Sequence, residues 1–270
     1  MSNFWQRAFT GTGFVSVIIL SILFGPLSFQ LLFLGVALFS LYEFYSLNSS
    51  ELVIPQKVTG LTLGALVYAA IAFSGQTETS ISIRLAIIYG ILNLIFFLEL
   101  YRKKTMPFHS IAYTITGILY IVLPFALMVQ LALLNGQYNF MLPLGIFLLI
   151  WTNDTFAYLT GMKFGKHRLF ERISPKKSWE GTIGGGVFTL IVAYTLSETS
   201  SVLALIDWLV IGCIIVVAGT LGDLVESMLK RSLQVKDSGN ILPGHGGFLD
   251  RFDALLLAVP FIYIYIILLD

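Results

Sequence analysis

Residues 236–253 read KDSGNILPGHGGFLDRFD and place cations beside carboxylates in a glycine-rich stretch. Glycine permits positive φ and a close approach of the backbone to a ligand, and successive backbone N–H groups can form a concave anion site. Carboxylates suit Mg²⁺, which takes one or two of them together with substrate phosphates. The stretch therefore predicts phosphoryl-transfer chemistry, and the alternative is a hairpin loop whose charges are merely solvated. Its ionisable members are Lys236, Asp237, His245, Asp250, Arg251 and Asp253.

Three further acids lie inside strongly apolar segments. Asp154 occurs in IWTNDTFAY, and Asp223 and Glu226 occur in GTLGDLVESMLKR. A charged side chain at the centre of a membrane-spanning helix costs about 2.5–3.5 kcal/mol on the translocon-insertion scale. We therefore expect Asp154 and Asp223 to have a functional role. Glu226 shares a helix face with Asp223 and with Lys230 four residues further on, so a structural pair with Lys230 explains it equally well.

A second charge-dense stretch, GKHRLFERISPKKSWEGTIGGG, covers residues 165–186. Ser178, Glu180 and Gly181 are typical of a helix start, where exposed N–H groups attract phosphate. Lys176 or Lys177 could contact phosphate there. The alternative is that both lysines only fix the orientation of the chain in a membrane.

Transmembrane helices are the elements that must position these residues. The 270 residues are 57% hydrophobic and 11% charged, whereas soluble domains carry roughly 25% charged residues. A helix needs about 20 mostly apolar residues to cross the hydrocarbon, so the pattern predicts an all-α polytopic integral membrane protein of about nine transmembrane helices. The predicted spans are residues 12–25, 28–47, 58–75, 82–100, 109–134, 139–163, 181–197, 203–229 and 252–269.

The distribution of positive charge predicts the orientation. With nine spans, every Lys and Arg except Arg84 falls on the side of the N-terminus. Because positive loops stay in the cytoplasm, the N-terminus is predicted to be cytoplasmic and the C-terminus external. The charge-dense loops 163–180 and 230–251 then face the cytoplasm, and we expect them to converge. No nucleic-acid-binding motif occurs, so nucleic acid is not an expected partner.

The candidate chemistry is concentrated in the second half of the chain. We therefore predict that residues 1–138 form a helical scaffold in the membrane and that residues 139–270 form the catalytic region. Cys213 is the only cysteine, so the chain cannot form an intrachain disulfide.

Residues 227–253, SMLKRSLQVKDSGNILPGHGGFLDRFD, resemble the signature of the CDP-diacylglycerol synthases, also called phosphatidate cytidylyltransferases. The segments SPKKSWEG and GDLVES upstream are also similar to that family, so the resemblance covers roughly residues 150–255. Every fixed position of the signature is filled, by Ser227, Lys230, Arg231, Lys236, Asp237, His245, Gly246, Gly247, Asp250, Arg251 and Asp253.

This resemblance implies a membrane nucleotidyltransferase that converts CTP and phosphatidate to CDP-diacylglycerol and pyrophosphate with Mg²⁺, in phospholipid biosynthesis. It also implies a multi-pass protein of the plasma or inner membrane, a homodimer, and an active site that faces the cytoplasm; a second cation stays open. The implied catalytic residues are Asp154, Asp223, Lys236, Asp250 and Arg251. The implied metal ligands are Asp223, Asp250 and Glu226, and the implied nucleotide-binding residues are Lys176, Lys230, Lys236, His245, Gly246, Gly247 and Arg251.

Two alternatives remain from the residues alone. One is another Mg²⁺-dependent membrane transferase, for nucleotidyl or sugar-phosphate groups, that acts on a different lipid phosphate. The other is a cytoplasm-facing anion transporter, which would also place acids in its spans. Transporters favour paired broken helices in corresponding halves, whereas the candidate chemistry here lies in one half.

Overall fold

The computed structural model describes residues 3–73, 81–239 and 246–269. Eleven α-helices lie in these ranges, and each predicted span overlaps one of them, or a pair of them joined by a π-helical turn. The helices are α1 Asn3–Leu23, α2 Pro26–Leu47, α3 Lys57–Ala72, α4 Ile81–Glu99, α5 Pro107–Gly117, α6 Leu123–Ala132, α7 Met141–Phe164, α8 Trp179–Thr199, α9 Leu205–Ile214, α10 Thr220–Ser232 and α11 Leu249–Ile267.

Within the described ranges, five helical segments are long and apolar enough to cross a membrane. The prediction of a helical membrane protein is therefore confirmed, whereas the number of nine spans and the orientation stay predictions. The five segments are Pro26–Leu47, Ser82–Glu99, Pro107–Ala132, Met141–Phe164 and Leu205–Ser232, and shorter apolar helices are Phe9–Leu23 and Lys57–Ala72.

In the part of the chain that the structure describes, two π-helical turns interrupt long helices. Ile118–Val122 joins α5 to α6, and Ile215–Gly219 joins α9 to α10. A π-helical turn shifts the side chains that follow it around the helix axis, and such turns occur frequently at functional sites. The second turn lies immediately before the segment of α10 that carries Asp223.

A short antiparallel hairpin, which the sequence analysis treated as loop, precedes α8. It consists of β1, Arg168–Phe170, and β2, Ser174–Ser178. Ile173 in the turn is buried, and its carbonyl accepts a 3.4 Å hydrogen bond from Arg231 Nε at the end of α10. The hairpin is therefore anchored at its tip.

The chain divides into two compact units, of which the first comprises Met1–Tyr138 and Asp237–Arg251. Its core packs α2 against α3 and α6. Tyr45 is fully buried there, and its hydroxyl donates to the Thr114 carbonyl at 2.7 Å. Part of the glycine-rich stretch thus belongs to the same unit as the N-terminal helices.

The second unit comprises Asn139–Lys236 and Phe252–Asp270. Helices α7 and α8 pack closely because glycines face α7: a Cβ at Gly185 would lie 2.8 Å from the Asn153 carbonyl oxygen. Thr160 Oγ1 also lies 3.2 Å from the carbonyl oxygen of Gly181 in α8. Small residues and hydroxyl hydrogen bonds of this kind are typical of helix contacts in membranes. This packing fixes the helix that carries Asp154.

Candidate active site

An acidic cluster in the second unit brings together residues from three helices. Asp154 lies exposed in α7, Asp223 lies in the first turn of α10, and Asp253 lies in α11. Asp253 interacts electrostatically with Asp223, with Asp154 and with Lys177 of β2. Like charges repel one another, so a cation would be stabilised among these acids. Asp154 and Asp223 are catalytic candidates from the sequence, whereas Asp253 is not.

Gly222 makes the approach of α10 to α11 possible. A Cβ at Gly222 would lie 2.4 Å from the carbonyl oxygen of Asp253 and 3.2 Å from Cα of Ala254. Only glycine fits at such a distance without a shift of one helix. The residue directly before Asp223 therefore sets how closely that acid can approach Asp253.

Lys177 supplies the positive charge of this cluster. Its Nζ lies 2.7 Å from Asp223 Oδ2, and Asp223 Oδ1 accepts a 3.3 Å hydrogen bond from Ser227 Oγ. Lys176, the neighbour named by the sequence analysis, has an exposed side chain. Successive residues of a strand point to opposite faces, which explains why only one lysine of the pair reaches the acids.

Glu226 and Lys230 form an ion pair along α10. The side chain of Glu226 is almost completely buried, and that of Lys230 is largely buried. The pair therefore has the arrangement expected for a structural contact at spacing i, i+4. Binding of metal by Glu226 or of phosphate by Lys230 stays a prediction.

Asp250 lies in the first unit and organises the glycine-rich stretch. Its Oδ2 accepts three hydrogen bonds of 2.9 Å, from Ser238 N, Ser238 Oγ and Gly247 N. Gly246 has φ +80°, a conformation that favours glycine. One oxygen of Asp250 thus ties residue 238 to residue 247, and the N–H group of Gly247 is used within the stretch.

The cations of this stretch that the structure describes and that were predicted to bind nucleotide are not part of the Asp250 hydrogen-bond network. The side chains of Lys236 and Arg251 are exposed and so accessible to a charged ligand. His245 lies outside the described residues. Loops 163–180 and 230–251 are in contact through Arg231 and Ile173. Any wider convergence of the two loops stays a prediction.

The predicted helix start at Ser178 is confirmed. Ser178 Oγ accepts a 3.2 Å hydrogen bond from Gly181 N at the N-terminus of α8. Glu180 in the first turn contacts His167 Nδ1 at 2.6 Å and accepts from Lys166 N at 3.0 Å. The His167 contact and these backbone N–H groups lower the pKa of Glu180 to about 2, so it is an anion at neutral pH. That anion occupies the helix N-terminus predicted to attract phosphate.

The donor set of the acidic cluster is compatible with Mg²⁺. Among the residues that the structure describes, no group of three or more His, Cys, Asp or Glu side chains is arranged to hold a metal ion. Mg²⁺ in a phosphoryl-transfer site needs only one or two protein carboxylates, since substrate phosphates and water complete its shell. Asp223 with one neighbouring acid meets that requirement. The same carboxylate forms an ion pair with the ammonium group of Lys177.

Comparison with known proteins decides the family. A model of the cytidylyltransferase family matches residues 5–269. The phosphatidate cytidylyltransferase of Bacillus subtilis (strain 168) is 34% identical over 264 residues, which are 97% of this chain and 97% of that protein. The chain belongs to the cytidylyltransferase family. This confirms the resemblance drawn from residues 227–253.

Other members of the cytidylyltransferase family match shorter stretches more closely. The phosphatidate cytidylyltransferase of Haemophilus influenzae is 44% identical over 132 residues, 47% of this chain and 46% of that protein. The phosphatidate cytidylyltransferase of Staphylococcus aureus (strain COL) is 46% identical over 128 residues, 45% of this chain and 47% of that protein. Each of these two relatives is thus similar to this chain over slightly less than half of its own length.

Sequence reasoning missed three polar residues that the structure places at these clusters. Lys177 is an alternative to Lys176 for contact with phosphate, and Asp253 is one of the carboxylates suited to Mg²⁺, but neither is among the site residues predicted from the sequence. Glu43 of α2 has no sequence motif around it, since it is a single acid in an apolar helix of the predicted scaffold. An intramembrane acid is by default a candidate functional residue, and that principle was the available signal.

Proposed function

We propose that this chain is a phosphatidate cytidylyltransferase, which forms CDP-diacylglycerol and pyrophosphate from CTP and phosphatidate. The observation that carries the proposal is the 34% identity over 97% of the chain to the Bacillus subtilis enzyme of that name. The acidic cluster with Lys177, together with the exposed cations of the glycine-rich stretch, provides groups that this chemistry needs.

The reaction needs charge stabilisation more than proton transfer. A phosphate oxygen of phosphatidate attacks the α-phosphorus of CTP, a new P–O bond forms, and the bond to the β-phosphate oxygen breaks. The electron pair leaves with pyrophosphate. Phosphomonoesters have a second pKa of about 6, so the attacking group is already largely ionised at neutral pH and requires no general base.

Mg²⁺, when bound, reduces the repulsion between the two anionic substrates and stabilises the charge on the leaving pyrophosphate. Asp223 would hold it, together with Asp154 or Asp253. Asp250 and Glu226 remain candidate ligands, but the structure shows Asp250 Oδ2 accepting hydrogen bonds within the loop and Glu226 paired with Lys230.

The phosphate groups of the substrates are assigned to cationic side chains. Lys236 and Arg251 are exposed, and Lys177 lies at the acids that would hold the metal. Fixed cations aimed at developing negative charge stabilise the transition state. Lys176, Lys230, His245, Gly246 and Gly247 stay predicted contacts of the nucleotide.

The topology proposal has nine spans, a cytoplasmic N-terminus, an external C-terminus and an active site that faces the cytoplasm. The one-sided distribution of Lys and Arg supports it, and so do helices at every predicted span. A cysteine placed at position 78 in a Cys213→Ser background should then react with an impermeant reagent from outside, and one at position 104 should not. Reaction of both from the same side would refute the topology. The homodimer is proposed by family resemblance alone.

The activity is tested with purified protein, CTP, phosphatidate and Mg²⁺, followed for pyrophosphate and for the liponucleotide. Formation of both in equal amounts supports the proposal. Polyprenyl phosphate in place of phosphatidate tests the other lipid-phosphate transferases, and uptake of labelled CTP into vesicles tests transport. Product from polyprenyl phosphate only, or uptake without turnover, would overturn the assignment.

A further inference from the structure

Glu43 of α2 is a buried acid that holds the two described arms of the glycine-rich stretch, residues 237–239 and 246–251. The residue is 4% exposed. Its Oε1 accepts a 3.1 Å hydrogen bond from Phe248 N, and its Oε2 accepts from Leu249 N at 3.0 Å. Ser238 Oγ, whose single proton lies between Glu43 and Asp250, is 3.3 Å from Oε2. One carboxylate therefore contacts both arms at once.

Two glycines of the arms lie so close to this carboxylate that they leave no room for a side chain. A Cβ at Gly239 would lie 2.5 Å from Glu43 Oε1, and a Cβ at Gly247 would lie 2.4 Å from Glu43 Oε2. Both distances are shorter than real Cβ contacts, so a larger residue at either position would displace an arm or the carboxylate. The glycine content of the stretch is explained in part by the approach of Glu43.

An aromatic contact on the same face of α2 adds to the attachment. The ring of Phe248 stacks on that of Phe39, with centroids 5.4 Å apart and an interplanar angle of 14°. Phe39 precedes Glu43 by one helical turn. The arm is thus held by a ring contact and by hydrogen bonds from the same helix.

Burial of a carboxylate is unfavourable unless donors replace the water it loses. Here the donors include the N–H groups of Phe248 and Leu249 at the start of α11, which have no acceptor within their own helix. The positive end of a helix dipole also favours an anion at this point. The acid in α2 and the start of α11 therefore satisfy each other, and neither would be well paired alone.

We propose that Glu43 is a positioning residue for nucleotide binding, because it fixes the arm that follows Lys236 and the arm that carries Arg251. The N-terminal helices then contribute to the activity itself, beyond the scaffold role expected from the sequence. This inference rests on the proposed function, since the arms are assigned to the phosphates of CTP. Glu43 acts through the arms and does not touch the reacting atoms.

The test is Glu43→Gln, which keeps the size of the side chain but replaces one acceptor oxygen with a donor NH₂ group among N–H donors. The KM for CTP should rise about tenfold, as expected when binding contacts are lost without loss of the chemical step. The KM for phosphatidate and kcat should change less than about twofold. Glu99→Gln is the matched control, because Glu99 is equally buried in the same unit but pairs with Gln56 and Arg102.

A direct measurement of the arms separates positioning from general destabilisation. Trypsin should cleave after the exposed Lys236 faster in Glu43→Gln than in wild type or in Glu99→Gln. Cleavage after Lys103 and Lys104, which are exposed in the loop between α4 and α5, should be equal in all three proteins.

Two outcomes would overturn the inference: an unchanged KM for CTP in Glu43→Gln, or equal effects of Glu43→Gln and Glu99→Gln in both assays. If the wild-type protein has no activity with CTP, the proposed function fails by itself. The selective increase in cleavage after Lys236 would then still show that Glu43 holds the arms.

Discussion

Lys177 Nζ lies 2.7 Å from Asp223 Oδ2 and joins the hairpin before α8 to the first turn of α10. Both side chains are partly exposed, at 26% and 37%, and ion pairs in such surroundings contribute only about 0–1 kcal/mol to stability. The pair is therefore a weak structural element in a position where substrate phosphate and Mg²⁺ could exchange partners with it. The pair therefore matters for the charges that it offers to substrate and metal, and little for stability.

Replacement of Asp223 by Asn separates a metal ligand from a structural acid. Asn keeps the size and one acceptor oxygen but loses the negative charge that holds Mg²⁺ against its hydration shell. We expect activity to fall by about two orders of magnitude or more, whereas the protein stays folded because the lost ion pair is weak. Glu198→Gln, an exposed acid near the end of α8, is the control. Near-wild-type turnover of Asp223→Asn at millimolar Mg²⁺ would show that the acid is structural.

Lys177→Met and Lys176→Met compare two neighbouring lysines that the sequence alone could not distinguish. The structure places only Lys177 at the acids, so Lys177→Met should lower kcat/KM by about 10- to 150-fold, the scale of one charge-assisted hydrogen bond. Lys176→Met should cost less. Steady-state kinetics with both substrates measures this, and a larger loss in Lys176→Met would reverse the assignment.

Gly222→Ala tests the close approach of α10 to α11. The new Cβ would lie 2.4 Å from the Asp253 carbonyl oxygen, so the helices must separate and the acids move apart. Misplacement of reacting groups by about 1 Å can cost about 100-fold in rate. Gly35→Ala in α2 meets nothing within 4 Å and should be neutral. If the two variants had equal activity and equal thermal stability, the approach would not matter.

The helices of the fold were predictable because apolar runs of this length have few alternatives in a membrane protein. The hairpin was not, since residues 168–178 are polar and its short strands carry no clear alternation. The choice between Lys176 and Lys177 follows from that strand and was therefore open. Local sequence patterns identify the helices, but they do not show which face of the strand β2 lies against the helices that carry the acids.

The contacts of Glu43 could not be predicted for a different reason. Its partners Ser238 and Leu249 are 195 and 206 residues away in the chain, and no local pattern encodes a contact of that range. Asp250 was predicted from the signature as a metal ligand, whereas the structure shows Oδ2 accepting hydrogen bonds from Ser238 and Gly247. Residue type indicates a carboxylate's chemistry, but its neighbours decide how that chemistry is used.

Lys236→Ala and Arg251→Ala test whether the exposed cations of the glycine-rich stretch bind the triphosphate. Each should lower kcat/KM for CTP by about 10- to 150-fold, because a hydrogen bond to a charged group contributes about 1.5–3 kcal/mol. The loss of affinity should grow from CMP through CDP to CTP analogues, because a nucleotide with more phosphates loses more of its binding when the cation is removed. Phosphatidate dependence should change less, because its headgroup would contact the metal and other lysines. Inhibition constants for the three nucleotides in each variant provide the measurement. Equal weakening of all three, or a change only in the KM for phosphatidate, would mean that these cations bind the lipid phosphate instead.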